Sequence, residues 1–256
     1  MNEREEFGLW ESLERRWLKL PLAVMQDVGP AVQTLAGLLK LTDKDTFRPT
    51  AEIADSARLP IATARKHLLT LDARGWIERK GRERTRAGYL RRTATIQIPK
   101  ATRDKLAPYA VLPWWACCWI RGAGALPWSS RAVLSIIMAR IMSLKGAAER
   151  AGDISDPEEL FGEFSNMGGE GEERFRFSRK YLTAQTGLSK NAIVAAKRHL
   201  YKLGIIVLTA GENQEDGGTG CDRLVPNWDF RVVVTPTGEE RCYINFLEVE
   251  GGVKTG

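Results

Sequence analysis

The chain has 256 residues, 43% of them hydrophobic and 27% charged, the make-up of one large or two small folded domains, which excludes disorder throughout. It carries 38 Lys+Arg against 32 Asp+Glu, a net charge of +6, and no stretch approaches the roughly 18 uninterrupted apolar residues of a membrane span. The N-terminus MNEREEFGLWESLERRW mixes acids, bases and aromatics rather than forming a secretory signal, so the expected location is cytoplasmic and no membrane partner is expected.

The distribution of charge is more informative than its sum. Residues 50–105 hold 14 basic against six acidic side chains, a surplus larger than that of the whole chain. Residues 152–174 hold eight acidic side chains against the single Arg174 and are rich in glycine. A concentrated basic region beside a segregated acidic one points to a polyanionic partner.

In chain order, Phe7, Trp10, Leu13 and Trp17 recur at a helical period, which predicts an amphipathic helix over residues 1–19 that docks on the rest of the chain. A short extended piece, Trp17–Leu22, comes next. Gly29-Pro30 followed by AVQTLAGLLKL predicts a helix near 30–41, with proline at its first position and Leu35, Leu38 and Leu39 as its buried stripe. Thr50 is expected to cap a helix near 51–57 whose Ile53, Ala54 and Ala57 face inward.

From Leu59 the chain reads LPIATARKHLLTLDARGWIE. Leu59, Ala64, Leu68 and Leu71 share one helical face, Gly75 suits a left-handed C-terminal position, and Trp76-Ile77 begin a strand. This is the pattern of a helix-turn-helix followed by a wing, Trp76–Arg79 and Thr93–Ile98, around the loop KGRERTRAGYLRR.

The second half repeats the plan. Leu188 to Gly204 spans the same 16-residue interval as Leu59 to Gly75, and AVLPWW at 110–115 resembles LKLPLA at 18–23. Ser129 or Ser130 is expected to cap a helix containing Val133, Ile136, Ile137, Ile141 and Leu144, and Ser178 to cap 179–186 before Gly187 breaks it. A second wing pairs Ile205–Ala210 with Arg223–Pro226 across GENQEDGGTGC, and Phe230–Val234 with Arg241–Glu248 reads as a final hairpin. The expected fold is therefore α+β, mostly helical, with two tandem winged helix-turn-helix domains. The expected divisions are an N-terminal amphipathic helix at 1–19, winged-helix domain 1 at 20–107, and winged-helix domain 2 at 108–256. The last contains the acidic, Gly-rich insertion 152–174 and the C-terminal β-hairpin.

A winged helix presents its recognition helix to the major groove and its wing to the backbone or minor groove. In the first domain the outward face shows Ile61, Ala62, Thr63, Arg65, Lys66 and Leu69. Arg65 is the candidate for a guanine edge, because its fork can bond O6 and N7 together. The stretch 79–92 of the wing concentrates Arg79, Lys80, Arg82, Arg84, Arg86, Arg91 and Arg92 against Glu83 alone, a density that suits phosphate. In the second domain Ser189, Lys190, Asn191, Arg198 and Lys202 face outward. Asn191 suits adenine, and Arg179 and Tyr181 are candidate phosphate contacts. The second wing carries Glu212, Glu215 and Asp216, which repel phosphate.

Other chemistry finds little support in the residues. Cys117, Cys118, Cys221 and Cys242 form no C-x-x-C, and His67 and His199 have no ligand at metal spacing, so no metal or other cofactor is expected. Trp114, Trp115, Trp119 and Trp128 read as core anchors rather than a stacking platform. No phosphate loop, H-E-x-x-H or G-x-S-x-G occurs, so the chain is not expected to be an enzyme, and no small-molecule ligand is evident.

The run ARLPIATARKHLLTLDARGWIERKGRERTRAGYLRRTATIQI resembles the helix-turn-helix and wing of plasmid and phage replication initiators. The lead-in LKLPLAVM and the closing RLVPNWDF are similar to the same architecture. Most of 17–100 and 110–232 is covered, although Pro60 stands where a serine or threonine cap is usual and the second wing is acidic. The resemblance implies site-specific binding of double-stranded DNA at origin repeats, followed by recruitment of host replication proteins or self-association. By position it makes Arg65, Lys66, Lys190, Asn191 and Arg198 reading-helix contacts, and Arg82, Arg84, Arg86, Arg91 and Arg92 wing contacts. Many bacterial transcription regulators share these features, so transcription regulation is the near alternative. A structural winged-helix subunit of a larger DNA-associated complex is a further one.

Overall fold

In the computed structural model, the described residues are 5–8, 17–41, 48–80, 95–117, 119–120, 124–151, 177–209, 223–227, 231–234 and 242–245. Among them the fold is mostly helical α+β with small antiparallel sheets. Strand β1 (Glu5–Gly8) pairs with β10 (Arg231–Val234), which also pairs with β11 (Cys242–Asn245), so the two ends of the chain meet in one three-stranded sheet.

The helix expected over 1–19 is corrected here. Residues 5–8 and 17–21 are strands, and 9–16 lie outside the described residues. Two forces override the helical period. Residues 5–8 form a backbone ladder with β10, and at 17–20 the sequence alternates, burying Leu18 and Leu20 while Lys19 is exposed. So short a segment gains little as an isolated helix.

β2 (Trp17–Pro21) pairs antiparallel with β5 (Tyr109–Pro113). The ladder is centred on Lys19 opposite Val111, with Leu18 opposite Leu112 and Leu20 opposite Ala110. WLKLP and YAVLP are the equivalent lead-ins of the two halves, so each lead-in pairs with its own counterpart about a local two-fold. This is how the halves join.

After β2 come α1 (Leu22–Val28), which the sequence pattern did not announce, a single 3-10 turn at Gly29–Ala31 containing Pro30, and α2 (Val32–Leu41). α3 (Thr50–Ser56) and α4 (Ile61–Ala73) follow, joined by a tight turn. Pro49, not Thr50, occupies the N-cap position of α3, and no side chain caps it. Thr50 is already helical because the fixed φ of proline starts the helix one residue earlier. Ile53, Ala54 and Ala57 are buried as expected. β3 (Glu78–Lys80) then pairs antiparallel with β4 (Thr95–Gln97), starting two residues later than Trp76; residues 81–94 lie outside the described residues. A short α5 (Lys100–Arg103) leads to β5.

The second half shares the order of lead-in strand, 3-10 turn, three helices and antiparallel pair, with a small strand pair in place of a helix like α1. A 3-10 turn (Trp114–Cys117) and the small pair β6 (Trp119–Ile120) and β7 (Gly124–Ala125) precede α6 (Trp128–Ala151), α7 (Arg179–Thr186), α8 (Lys190–Lys202), and the antiparallel pair β8 (Ile206–Thr209) and β9 (Arg223–Pro226). The expected acidic insertion 152–174 and the loop 210–222 lie outside the described residues.

One continuous hydrophobic core runs through both halves, from Leu18 and Leu35 through Leu112 and Trp115 to Ile137, Leu200 and Leu224. Trp114 and Trp115 are both buried in it, as core anchors. No helix among the described residues is long and apolar enough to cross a membrane.

Candidate nucleic-acid interface

The turns between α3 and α4 and between α7 and α8 are built alike. Each places one residue in the left-handed region immediately before a leucine: Arg58 at φ 54° before Leu59, and Gly187 at φ 70° before Leu188. Only glycine enters this region without cost, so the first turn holds Arg58 against its preference. The Arg58 guanidinium lies over the Trp114 ring at 6.0 Å, with Asp55 at 3.9 Å. The ends of the two long helices also match. Gly75 and Gly204 are both left-handed, at φ 72° and 66°. The Gly75 carbonyl accepts from Thr102 Oγ1 at 3.5 Å, and that of Gly204 from Asn227 Nδ2 at 2.7 Å.

α4 buries Ala64, Leu68 and Leu71 and exposes Ile61, Ala62, Arg65, Lys66 and Leu69, one stripe at i, i+4, i+8. Leu69 is 58% exposed and Ile61 45%, large apolar side chains on an otherwise basic stripe. Thr63 is half-buried at its edge. α8 buries Ile193, Ala196 and Leu200 and exposes Lys190, Asn191, Ala195, Arg198 and Lys202. Among the described residues none of Arg65, Lys66, Lys190, Arg198 or Lys202 forms an ion pair.

The helix N-termini differ. Ser189 caps α8, its Oγ accepting from the Ala192 amide at 3.3 Å, and Ser178 caps α7 through the Tyr181 amide at 3.0 Å. Pro60 begins α4 with no side-chain cap. Ser189 is exposed as expected, but its hydroxyl is engaged by the cap. Arg179 and Tyr181 are exposed at the start of α7, with the Tyr181 ring 6.2 Å from that of Phe177.

Arg79 is exposed on β3, its amide donating to Asp72 Oδ1 at 3.1 Å, so the strand is fastened to the end of α4. Lys80 is the last residue of β3. Arg82, Arg84, Arg86, Arg91 and Arg92 lie outside the described residues, as do Glu212, Glu215 and Asp216. Asp27 at the end of α1 accepts from the Trp76 indole N–H at 2.7 Å and lies 3.4 Å from Arg74 Nη1, bracing the turn that leads into β3.

Behind the two exposed stripes lies a set of buried and half-buried polar side chains that hydropathy patterning missed. Thr34 Oγ1 on α2 shares a hydrogen bond of 2.9 Å with His67 Nδ1 on α4. Ser130 Oγ on α6 shares one of 3.0 Å with His199 Nδ1 on α8. Ser130 was expected to be an N-cap candidate. Instead it is fully buried inside α6, whose first turn is closed by the Arg131 amide donating to Pro127 O at 3.1 Å, and its hydroxyl serves His199.

Arg131 Nη1 donates to Gln33 Oε1 at 2.5 Å. Gln33 Nε2 donates to Ala57 O at 2.7 Å and to Cys117 Sγ at 3.3 Å. The pKa of His67 is pushed below 6.5, first by burial and then by the positive charges of Arg131 and Lys66. Lys197, on α8, is also buried.

No protein-family model matches the chain, and no curated protein matches it. Among solved structures it is similar to the DIP2311 protein from Corynebacterium diphtheriae, at 16% identity and a TM-score of 0.19. The alignment covers 76% of this chain and 26% of that one, so the chain spans about a quarter of that protein's length. At that TM-score the likeness carries no argument about fold or function.

Proposed function

We propose that the chain is a sequence-specific double-stranded DNA-binding protein of the plasmid or phage replication-initiator kind, built as two tandem winged-helix domains divided near residue 107. In this reading α4 and α8 are the recognition helices, and the β3–β4 and β8–β9 hairpins are the wings. The observation that carries it is the pair of outward stripes. Each lies on a 13-residue helix that follows a shorter helix across a tight turn and precedes a two-stranded antiparallel pair. Each offers basic side chains that no acidic residue among the described ones neutralises.

On a major-groove edge Arg65 suits guanine and Asn191 adenine, while Lys66, Lys190, Arg198 and Lys202 suit base or phosphate. Arg79, Lys80 and the five arginines of the first loop suit phosphate. The exposed Ile61 suits the methyl group of thymine. Regulation of transcription from the same DNA contacts is the second reading, favoured by the same stripes, and the DNA target separates the two.

The test is selection of duplexes from a random pool, followed by salt titration of the wild type, Arg65→Ala and the triple change Arg82→Ala, Arg84→Ala, Arg86→Ala. An enriched motif is expected. Arg65→Ala should relax one position of it, and the triple variant should flatten the salt dependence. Repeated sites at a plasmid or phage origin favour initiation; one site over a promoter favours regulation. No enrichment and no salt dependence would refute duplex recognition.

A further inference from the structure

The polar side chains behind the two exposed stripes form a single line. His67 on α4 is bonded to Thr34 on α2; the neighbour of Thr34, Gln33, is bonded to Arg131 on α6; the neighbour of Arg131, Ser130, is bonded to His199 on α8. The line therefore begins on one basic-striped helix and ends on the other, and it crosses between the halves of the chain at Gln33, which accepts from Arg131 Nη1 and donates to Cys117 Sγ.

Its members are costly to bury. Gln33 is 1% exposed, while Thr34 and Ser130 are fully buried. Buried amide and hydroxyl groups lose their water, and the loss is offset only when partners stand at hydrogen-bonding distance. Here they do. Gln33 uses its oxygen for Arg131 and its nitrogen for the Ala57 carbonyl and Cys117 Sγ. Ala57 closes α3 just before the tight turn into α4, so the same amide that reaches the second half also fixes the turn of the first.

An apolar interior can slide by small repacking steps. Hydrogen bonds between the helices resist such sliding, because a shift that breaks them leaves a donor or acceptor unmet. The β2–β5 ladder joins the halves at their lead-ins. The polar line runs directly beneath both outward stripes.

We infer that Arg131, through Gln33, is a positioning residue that sets the separation between the stripes of α4 and α8, so that the chain accepts its two DNA half-sites at one spacing only. The inference rests on the DNA reading above. Arg131 touches no base in it and acts through the helices it connects. One inserted base pair moves the half-sites apart by about 3.4 Å and rotates them by about 34°, since a helical turn of about 34–36 Å holds 10–10.5 base pairs. A rigid pair of helices cannot follow that displacement, whereas a loosened pair can.

The experiment takes the selected duplex and versions with one base pair inserted or deleted between the half-motifs. Affinity is measured for the wild type, Arg131→Met, Arg131→Lys and Gln33→Met, with thermal melts confirming that each is folded. The wild type should lose at least about tenfold on either change of spacing, as for losing one or more base contacts. Arg131→Met and Gln33→Met should lose less than about threefold while still reading both half-motifs, and Arg131→Lys should restore part of the strictness. A wild type indifferent to spacing, or variants as strict as the wild type, would overturn the inference while leaving DNA recognition intact. Absence of duplex binding by the wild type would overturn both together.

A readout without DNA uses the two histidines, which are the only ones in the chain. Ser130→Ala should move the NMR signal of the His67 ring as well as that of His199, and the His67 effect should vanish in Arg131→Met. An unmoved His67 signal would sink the line as a coupled unit.

Discussion

Gly75 and Gly187 share a backbone conformation, at φ 72° and 70°, and differ in their surroundings. A Cβ at Gly75 meets nothing within 4 Å. At Gly187 it meets Gln26 O at 2.7 Å and Gln26 Cα at 3.2 Å, where the end of α1 lies against the turn between α7 and α8. Alanine at either position pays for a left-handed backbone, about 1–2 kcal/mol. At Gly187, itself exposed, it also pushes against the Gln26 backbone, about 1–3 kcal/mol more. Gly75→Ala should thus destabilise by about 1–2 kcal/mol and Gly187→Ala by roughly 2–5 kcal/mol.

Urea unfolding followed by circular dichroism measures the difference, and a Tm shift of about 2–4 °C per kcal/mol is expected for a chain of this size. Because Gln26 belongs to the first half and Gly187 to the second, the excess at Gly187 reports the packing of the two halves on one another. Equal losses within about 0.5 kcal/mol, the usual scatter between independent sites, would refute that packing.

Three further outcomes follow from local geometry. Gly37→Ala places a Cβ 2.6 Å from both the Ala57 amide nitrogen and Cβ; it should cost about 3 kcal/mol, at the top of the overpacking range. Gly146→Ala on α6, with open space around it, should be neutral or stabilising by up to about 1 kcal/mol in the same denaturation assay. Ser189→Ala removes the α8 cap and should cost about 1 kcal/mol, visible as lost stability without loss of native helical signal at low denaturant.

His67 gives a pH dependence of known sign. Its folded pKa lies below the ordinary imidazole value of 6.5, so its contribution is complete above about pH 6.5 and is lost as pH falls from there towards the lowered folded value, because the unfolded chain takes up a proton that the native fold resists. Stability measured from pH 7 to 5 should fall more steeply for the wild type than for His67→Gln, and parallel curves would contradict the assignment.

What the sequence disclosed and what it hid divide along a physical line. Residues that act on their own neighbourhood could be read directly. The left-handed turn at Gly187, the cap at Ser178, the left-handed closures at Gly75 and Gly204, and the split of α4 and α8 into a buried and an exposed stripe all follow from rules spanning a few residues. The likeness of the turns before α4 and α8 could be read for the same reason, since the equal spacing from leucine to glycine lies within one stretch of chain.

Long-range partners left no such trace. Phe7 and Trp17 fit a helical period, yet the ladders with β10 and β5 make both segments strands, and the strands that compete for them lie far along the chain. Ser130 illustrates the point within a helix. A serine near the start of an apolar run has the composition of a cap, and only the presence of His199 from α8 reveals that its hydroxyl faces inward. Gln33 and Arg131 are 98 residues apart, and neither has a hydropathy that marks it as buried or as a partner of the other. The exposed side chains were therefore legible from one stretch of chain at a time, whereas the side chains that bond those stretches to one another required the folded molecule. If the stripes of α4 and α8 meet one duplex, the legible residues decide which bases are read and the hidden ones decide how far apart those bases must be.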